Sequence, residues 1–221
     1  GYELSLRKGE AAISPDVTAI RMTIYRLARN SKVVKTLICA ARNGKKVTVV
    51  IELLARFDEE SNINWSKQMQ DAGINVVFGM EGLKVHSKLV HISSRKGDVA
   101  CISTGNFHEG NAAQYTDVTL FTARKRVVQE VGTVFGFIQK PYVPIRFKEL
   151  LVSPNDMRRR LLARIDKEIR NAAAGKPAYI MGKLNHITDR ALVQKLYEAS
   201  AAGVRIDLLV RGNCSLVTGI P

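Results

Sequence analysis

Residues 31–54 read SKVVKTLICAARNGKKVTVVIELL, and this stretch contains a helix signal, a stop signal and a strand signal in succession. Ser31 is a suitable N-cap for a helix whose apolar face carries Val34, Leu37, Ile38 and Ala41. Asn43 and Gly44 end that helix. Residues 46–54 are almost continuously β-branched or aliphatic, which is typical of a strand with both faces covered. The stretch therefore predicts an α/β fold with a central sheet.

Alternating strand and helix signals continue on both sides of this stretch. Strands are predicted at 20–27, 74–78, 84–93, 98–103 and 117–122, and helices at 63–72 and 124–139. Three prolines fall within residues 141–154, which predicts a linker. We therefore expect a first domain at residues 1–145 and the beginning of a second at 146–221.

The second domain begins like a repeat of the first. At a fixed spacing of 159 residues, Val34, Leu37, Ala40 and Gly44 correspond to Val193, Leu196, Ala199 and Gly203. The buried strand at 47–51 corresponds in the same way to residues 206–210. Both copies predict a helix, a glycine stop and a strand, as an internal duplication would. Two ordinary helix–strand units would give the same short apolar match, so this alternative stays open.

The net charge of the chain indicates which kind of molecule it binds. The chain has 34 Lys and Arg against 20 Asp and Glu, a formal net charge of +14, and therefore attracts polyanions. Polyphosphate, nucleotides, nucleic acid and anionic membranes all satisfy that requirement, but a single Trp and few aromatics argue against a nucleic-acid stacking platform. The sequence has no membrane-length apolar run and no signal-peptide pattern, which predicts a cytoplasmic protein. The three widely spaced cysteines predict reduced thiols and no zinc site.

His86 and Lys88 are the residues most informative about chemistry. If residues 84–93 form a strand, the two side chains point to the same face. Neutral imidazole can attack phosphorus and hold the group as a phosphoramidate, while lysine neutralises phosphate oxygens. The turn Thr104-Gly-Asn106 would add an amide and backbone N–H groups. The competing interpretation is the solvated face of an edge strand followed by an ordinary turn.

A histidine and a lysine two residues apart, followed by a Gly-Asn turn, resemble the active-site half-motif of the phospholipase D superfamily. Further motifs resemble bacterial polyphosphate kinase, of the type that extends polyphosphate from ATP. In chain order the motifs are MTIYR at 22–26, NGKKVTVV at 43–50, ARFDEE at 55–60, GLKVH at 82–86, TGNF at 104–107, YTD at 115–117 and LVRG at 209–212. The resemblance covers nearly all 221 residues. It implies a phospholipase D-like mixed sheet flanked by helices, with a truncated second copy.

The resemblance implies catalytic roles for three residues. His86 would be the phosphorylated nucleophile, and its reactivity should fall as the ring becomes protonated. Lys88 would screen the phosphoryl oxygens, and Asn106 would donate to the same oxygens. One departure is informative: the wider superfamily has an aspartate where this chain has Ser93. That departure argues against an ordinary phospholipase or nuclease.

Four more residues are implied on the nucleotide side of the site. Tyr115 and Arg211 match nucleotide-contacting positions of the family. Arg26 and Arg56, at the ends of predicted strands, match its magnesium-phosphate site. A guanidinium binds phosphate and is a poor metal ligand, so both arginines are expected to contact phosphate and not Mg²⁺ itself. The implied cofactor and substrate are Mg²⁺ and ATP, and the implied partners are ATP, ADP and polyphosphate, with no nucleic acid.

The second catalytic histidine of the superfamily is not expected in this chain. At the spacing of 159 residues it would fall at position 245, beyond the last residue. The resemblance therefore implies a fragment of an ATP:polyphosphate phosphotransferase, with little or no turnover by itself. For the full-length protein it implies a cytoplasmic homo-oligomer, with peripheral membrane association as an alternative. Two other functions stay open: a phospholipase D-like phosphodiesterase and a non-catalytic polyanion-binding module.

Overall fold

The computed structural model describes residues 10–25, 28, 30–52, 59–80, 82–107 and 114–219. The chain divides into two units, Gly1–Ile145 and Arg146–Pro221. Arg26 and Arg56, two of the residues predicted to contact phosphate, lie outside the described residues.

The first unit is built around a six-stranded mixed sheet. Its elements are β1 Val17–Ile24, α1 Lys32–Arg42, β2 Lys46–Ile51, α2 Glu59–Asp71, β3 Asn75–Phe78, β4 Lys88–Ser94, β5 Val99–Ser103, β6 Thr119–Thr122 and α3 Lys125–Gln139. The strand order is β3-β2-β1-β4-β5-β6. Strands β1, β2 and β3 run parallel, whereas β4 is antiparallel to β1 and β5, and β6 is antiparallel to β5. The predicted mixed α/β sheet flanked by helices is confirmed.

The helices cover both faces of this sheet. Ser31 caps α1 as predicted, because its hydroxyl accepts a hydrogen bond from Val34 N at 3.4 Å. Helices α1 and α2 bury their apolar faces in one core with alternate residues of β1, β2 and β4. Helix α3 lies against the opposite face, where Gly132 approaches His91 of β4. Because both faces of β2 are covered, Val47–Ile51 is continuously buried, as its composition predicted.

The strand directions bring chemically important residues to one end of the sheet. The carboxyl ends of β1, β2, β3 and β5 lie at the same end as the amino ends of β4 and β6. Tyr25 follows β1, Glu52 follows β2, and His86 precedes β4. Ser103 at the end of β5 pairs with Lys88 at the start of β4, so the turn after β5 also lies at this end.

The second unit contains a smaller parallel arrangement. Its elements are α4 Met157–Ala173, β7 Tyr179–Leu184, α5 Arg190–Ala201 and β8 Arg205–Val210, and β7 pairs with β8 in parallel. Residues of α4, α5 and one face of the two strands form its core. Asp189 caps α5 by accepting a hydrogen bond from Leu192 N at 3.0 Å. Among the described residues of the chain, no helix is long and apolar enough to cross a bilayer.

The two units share a β-α-β pattern. In the first, β1, α1 and β2 form a parallel crossover, and β7, α5 and β8 do so in the second. Strands β2 and β8 begin at Lys46 and Arg205, which are separated by the spacing seen in the sequence. Both helices are followed by a glycine with positive φ, 78° at Gly44 and 89° at Gly203. The structure therefore repeats the helix, glycine stop and strand predicted from the sequence.

The predicted element boundaries are wrong at several points, and one error concerns the site. The helix predicted at 63–72 begins earlier, at Glu59, and the first strand spans Val17–Ile24. The strand predicted at 84–93 begins only at Lys88, and residues 84–87 have no regular secondary structure. His86 therefore does not lie on a strand.

Candidate active site

His86 lies beside an aromatic ring and two lysines at the shared end of the sheet. Its side chain is exposed, and its ring meets Tyr25 edge to face, with centroids 4.9 Å apart and planes at 81°. Lys88 is 6% exposed, and its Nζ lies 5.2 Å from the Tyr25 centroid. Lys84, which is exposed, places its Nζ 5.6 Å from the same centroid. The ring of Tyr25 thus attracts two cations next to the imidazole.

Lys88 is also bonded to the main chain of His86, because its Nζ donates a hydrogen bond to the His86 carbonyl oxygen. The predicted same-face arrangement on a strand is wrong, yet the two residues are still adjacent. They are brought together because the lysine folds back over the irregular segment. A buried ammonium next to an exposed imidazole is suited to attracting an anion toward the ring.

Two side chains, Thr23 near the end of β1 and Glu52 directly after β2, explain why residues 84–87 are not part of β4. Glu52 Oε2 accepts a hydrogen bond from Val85 N at 2.9 Å. Thr23 Oγ1 donates to the carbonyl oxygen of Ser87 at 2.6 Å and accepts from Leu89 N at 2.9 Å. These main-chain groups bond to side chains instead of to a neighbouring strand. Sequence analysis missed both residues, although a lone glutamate in the apolar run at 46–54 was a visible signal.

The turn Thr104-Gly-Asn106 is fixed by Asp117. Thr104 Oγ1 donates to Asp117 Oδ1 at 3.0 Å and accepts from Val118 N at 3.0 Å. A Cβ on Gly105 would collide with the Asp117 carboxylate, so glycine is required there. Asn106 is half-buried, and its buried Oδ1 has no hydrogen-bond partner in the part of the chain that the structure describes. The turn therefore presents an amide at the same end of the sheet as His86.

Tyr115 and Arg211 lie in different units. Tyr115 is 45% exposed and precedes β6, whose amino end lies at the His86 end of the sheet. Arg211 follows β8 in the second unit, where its Nε donates to Asn185 Oδ1 at 3.0 Å. Beside it, His186 Nδ1 accepts a hydrogen bond from Asn213 N at 2.8 Å. Arg211 is thus exposed but anchored, as a phosphate-contacting guanidinium would need to be.

His91 is a packed histidine and not a second member of this cluster. It is 5% exposed on the opposite face of the sheet, below α3. Burial and then the nearby charge of Arg21 hold the pKa of His91 below its ordinary value, and Asp98 opposes them. The His91 Nε2 atom lies 3.9 Å from Asp98 Oδ2. The imidazole is therefore kept neutral by its surroundings.

The described residues do not form a dedicated metal site. No group of three or more His, Cys, Asp or Glu side chains among them is arranged to hold a metal ion. The carboxylates of Glu52 and Asp117 at the shared end are already bonded to Val85 N and Thr104 Oγ1. This part of the chain therefore offers cationic and amide groups for phosphate and does not supply a carboxylate cage for Mg²⁺.

Two family models match consecutive parts of the chain. Residues 6–144 match the model described as polyphosphate kinase C-terminal domain 1. Residues 150–221 match the model described as polyphosphate kinase C-terminal domain 2.

Individual proteins agree with the family models. The chain is 50% identical over 215 residues to polyphosphate kinases of Vibrio parahaemolyticus and Escherichia coli K12, covering 96% of this chain and 31% of each relative. The crystal structure of polyphosphate kinase from Porphyromonas gingivalis superposes with a TM-score of 0.89 at 43% identity, covering 99% of this chain and 37% of that one. The chain thus spans about a third of the length of these relatives.

Proposed function

This chain belongs to the polyphosphate kinase family, and we propose that it supplies one part of an active site that transfers the terminal phosphate of ATP reversibly to polyphosphate. The observation that carries the proposal is the exposed imidazole of His86 beside the buried ammonium of Lys88. We propose ATP, ADP and polyphosphate as the partners. Oligomerisation and peripheral membrane association of the full-length protein stay predictions.

In the proposed reaction a nitrogen of His86 attacks the terminal phosphorus of ATP. The new P–N bond forms as the bond from phosphorus to the bridging oxygen breaks, and ADP leaves with that electron pair. A terminal oxygen of polyphosphate then attacks the same phosphorus, and the P–N bond breaks. Both steps reverse along the same path, so the mechanism serves synthesis and breakdown.

The surrounding residues would act on charge and geometry. Lys88 and the amide of Asn106 would stabilise the phosphoryl oxygens in the transition state, where charge spreads over all three. Tyr115 and Arg211 would contact the nucleotide, and Arg26 and Arg56 would contact phosphate. The chemistry that Mg²⁺ would supply is neutralisation of the phosphate charge of ATP, near the phosphates that Arg26 and Arg56 would contact.

A phosphodiesterase is the weaker alternative. The superfamily aspartate would stand at position 93, but Ser93 lies within β4 and its carbonyl oxygen accepts a hydrogen bond from Thr18 at 3.3 Å. Non-catalytic polyanion binding is the second alternative, and the net charge of +14 is compatible with it. The two alternatives differ from the proposal in whether ATP leaves a phosphate on His86.

Phosphate transfer from γ-labelled ATP to the protein tests the proposal. Full-length wild type with Mg²⁺ should acquire an acid-labile, base-stable label, and His86→Ala should not. His91→Asn, which alters the buried histidine on the opposite face, should keep the label. We also propose that this chain alone shows little or no turnover, which the same assay measures by the polyphosphate formed.

The possible outcomes separate the three functions. A label that depends on His86 supports the phosphohistidine mechanism. A full-length protein that makes no such label contradicts it and leaves polyanion binding as the surviving account. Cleavage of a chromogenic phosphodiester that is lost in His86→Ala, without any label from ATP on His86, would favour the phosphodiesterase over polyanion binding.

A further inference from the structure

The segment that carries His86 has no regular secondary structure, yet it is bonded on both sides of the histidine. Residues 84–87 lie between β3 and β4 and are not strand-paired. A nucleophile on such a segment needs other contacts to hold its position, because small displacements of reacting groups reduce rates strongly. The contacts to Val85, Ser87 and Leu89 supply that restraint.

On the amino-terminal side, the contact comes from a buried carboxylate. Glu52 is 5% exposed, and its Oε2 accepts the hydrogen bond of Val85 N, the residue directly before His86. The main chain of Glu52 is itself fixed. Its N–H donates to Ile24 O at 3.0 Å, and its carbonyl oxygen accepts from Asn62 Nδ2 at 3.1 Å. The main chain that carries this carboxylate is therefore held by both β1 and α2.

On the carboxyl-terminal side, the contact comes from a buried hydroxyl. Thr23 is 2% exposed, and its Oγ1 bridges the carbonyl oxygen of Ser87 and the N–H of Leu89. Together Thr23 and Glu52 bond to main-chain groups on each side of His86. Burying a carboxylate is costly, whereas a neutral acceptor could satisfy one N–H group at lower cost. A buried acidic side chain at this point is explained by a need to hold the Val85 N–H group in one place.

We propose that Glu52 is a positioning residue that holds the peptide before His86 so that the imidazole faces the phosphate, with Thr23 completing the restraint on the other side. The inference rests on the proposed role of His86 as nucleophile. It assigns Glu52 no contact with substrate and no proton transfer. Its effect should therefore appear in the rate of phosphorylation of His86 and not in the binding of ATP.

The test compares Glu52→Ala, Glu52→Gln and Thr23→Val in the full-length protein. Glu52→Ala removes the acceptor for Val85 N, and kcat should fall by about 100-fold with the KM for ATP nearly unchanged. Glu52→Gln keeps an acceptor oxygen and should restore most of that rate. Thr23→Val preserves side-chain volume, removes both hydroxyl contacts and should lower kcat by about tenfold. The rate of label transfer to His86 in a single turnover should change in the same order.

Val49→Ala serves as the control for stability, because Val49 is buried in β2 and the variant should weaken the fold without touching the segment. It should retain wild-type kcat under conditions where it is folded. The positioning role is contradicted if Glu52→Ala keeps wild-type kcat, or if Val49→Ala reduces kcat as strongly. Failure of the proposed function looks different, since wild type itself would then carry no label that depends on His86. If Glu52→Ala does not fold, loss of kcat in soluble Thr23→Val supports the proposal and its absence overturns it.

Discussion

At the scale of single residues, Lys88 and Lys84 both lie close to the ring of Tyr25 but differ in burial. Lys88 is 6% exposed and is bonded to the carbonyl oxygen of His86, whereas Lys84 is exposed. A charge removed from water interacts more strongly with a phosphate than an exposed charge does. The two lysines should therefore contribute unequally to phosphate transfer.

We expect Lys88→Met to lower kcat by about 10²- to 10³-fold, the usual effect of removing one group that stabilises transition-state charge. Lys84→Met, the matched control at the same ring, should change kcat far less. Steady-state ATP turnover of the two full-length variants measures the difference. Equal losses would show that burial does not distinguish the two lysines.

His91 gives the first unit a pH-dependent stability. Burial and Arg21 lower the pKa of His91 in the folded protein, whereas the unfolded chain keeps the ordinary value of 6.5. Below that pH the unfolded state takes up a proton that the folded state resists. The free energy of unfolding should therefore fall as pH drops from 6.5 toward the folded pKa, by at most about 1.4 kcal/mol per pH unit.

Urea unfolding between pH 8 and pH 5 measures this effect, and His91→Asn is the comparison. The substitution removes the titrating ring but keeps a side-chain amide below α3. Its stability should depend less on pH over this window than that of the wild type. The same slope in both proteins would assign the effect to groups other than His91.

The sequence was informative about which residues carry chemistry and less so about how they are held. His86 and Lys88 stood out by residue type and spacing, and the structure places them together. The predicted reason for their contact, a shared strand face, was wrong. Hydrogen bonds of Glu52 and Thr23 keep residues 84–87 out of the strand, and these bonds join residues more than thirty positions apart in the chain. Local periodicity contains no signal for such long-range side-chain contacts. Glu52 could have been noticed only as a polar exception in an apolar strand.

At the scale of elements, helix α3 contains two glycines in different surroundings. A Cβ on Gly136 would meet nothing within 4 Å, whereas a Cβ on Gly132 would lie 3.5 Å from His91 Nε2. Glycine weakens a helix interior because it loses more backbone freedom on folding than alanine does. A Cβ on Gly132 would therefore make ordinary van der Waals contact with the His91 ring.

We expect Gly136→Ala to raise the free energy of unfolding by about 0.5–1 kcal/mol. Gly132→Ala should give a smaller gain, since its methyl group is placed against the polar edge of the imidazole. Equilibrium urea denaturation of both variants measures the difference. A larger gain for Gly132→Ala would contradict the packing argument.

Element boundaries were predicted best where a local signal exists. Ser31 caps α1, and Gly44 with positive φ follows the helix, as the sequence indicated. The beginning of β4 was missed by four residues, because alternation at 84–88 resembles a strand although its main-chain groups are bonded elsewhere. Capping and turn residues act within a few positions, whereas strand pairing depends on partners far away in the chain.

At the scale of the whole molecule, the net charge of +14 should govern affinity for polyphosphate. Salt screens surface charges, and the Debye length over which they interact falls from about 10 Å at 0.1 M salt to about 3 Å at 1 M. Polyphosphate binding should therefore weaken steadily as salt rises. Calorimetric titrations at several salt concentrations measure this dependence. An affinity independent of salt would show that long-range charge contributes little.

Strand β6 affects how the chain behaves in concentrated solution. It is the last strand of the sheet order. Leu120 and Phe121 in this strand are 51% and 42% exposed, and Val118 just before it is 66% exposed. An apolar strand edge can pair with another molecule and start aggregation. At low salt the shared positive charge keeps copies apart, and added salt removes that repulsion. The solubility limit of the isolated chain should thus be set by ionic strength, and a lysine placed at Leu120 should raise it.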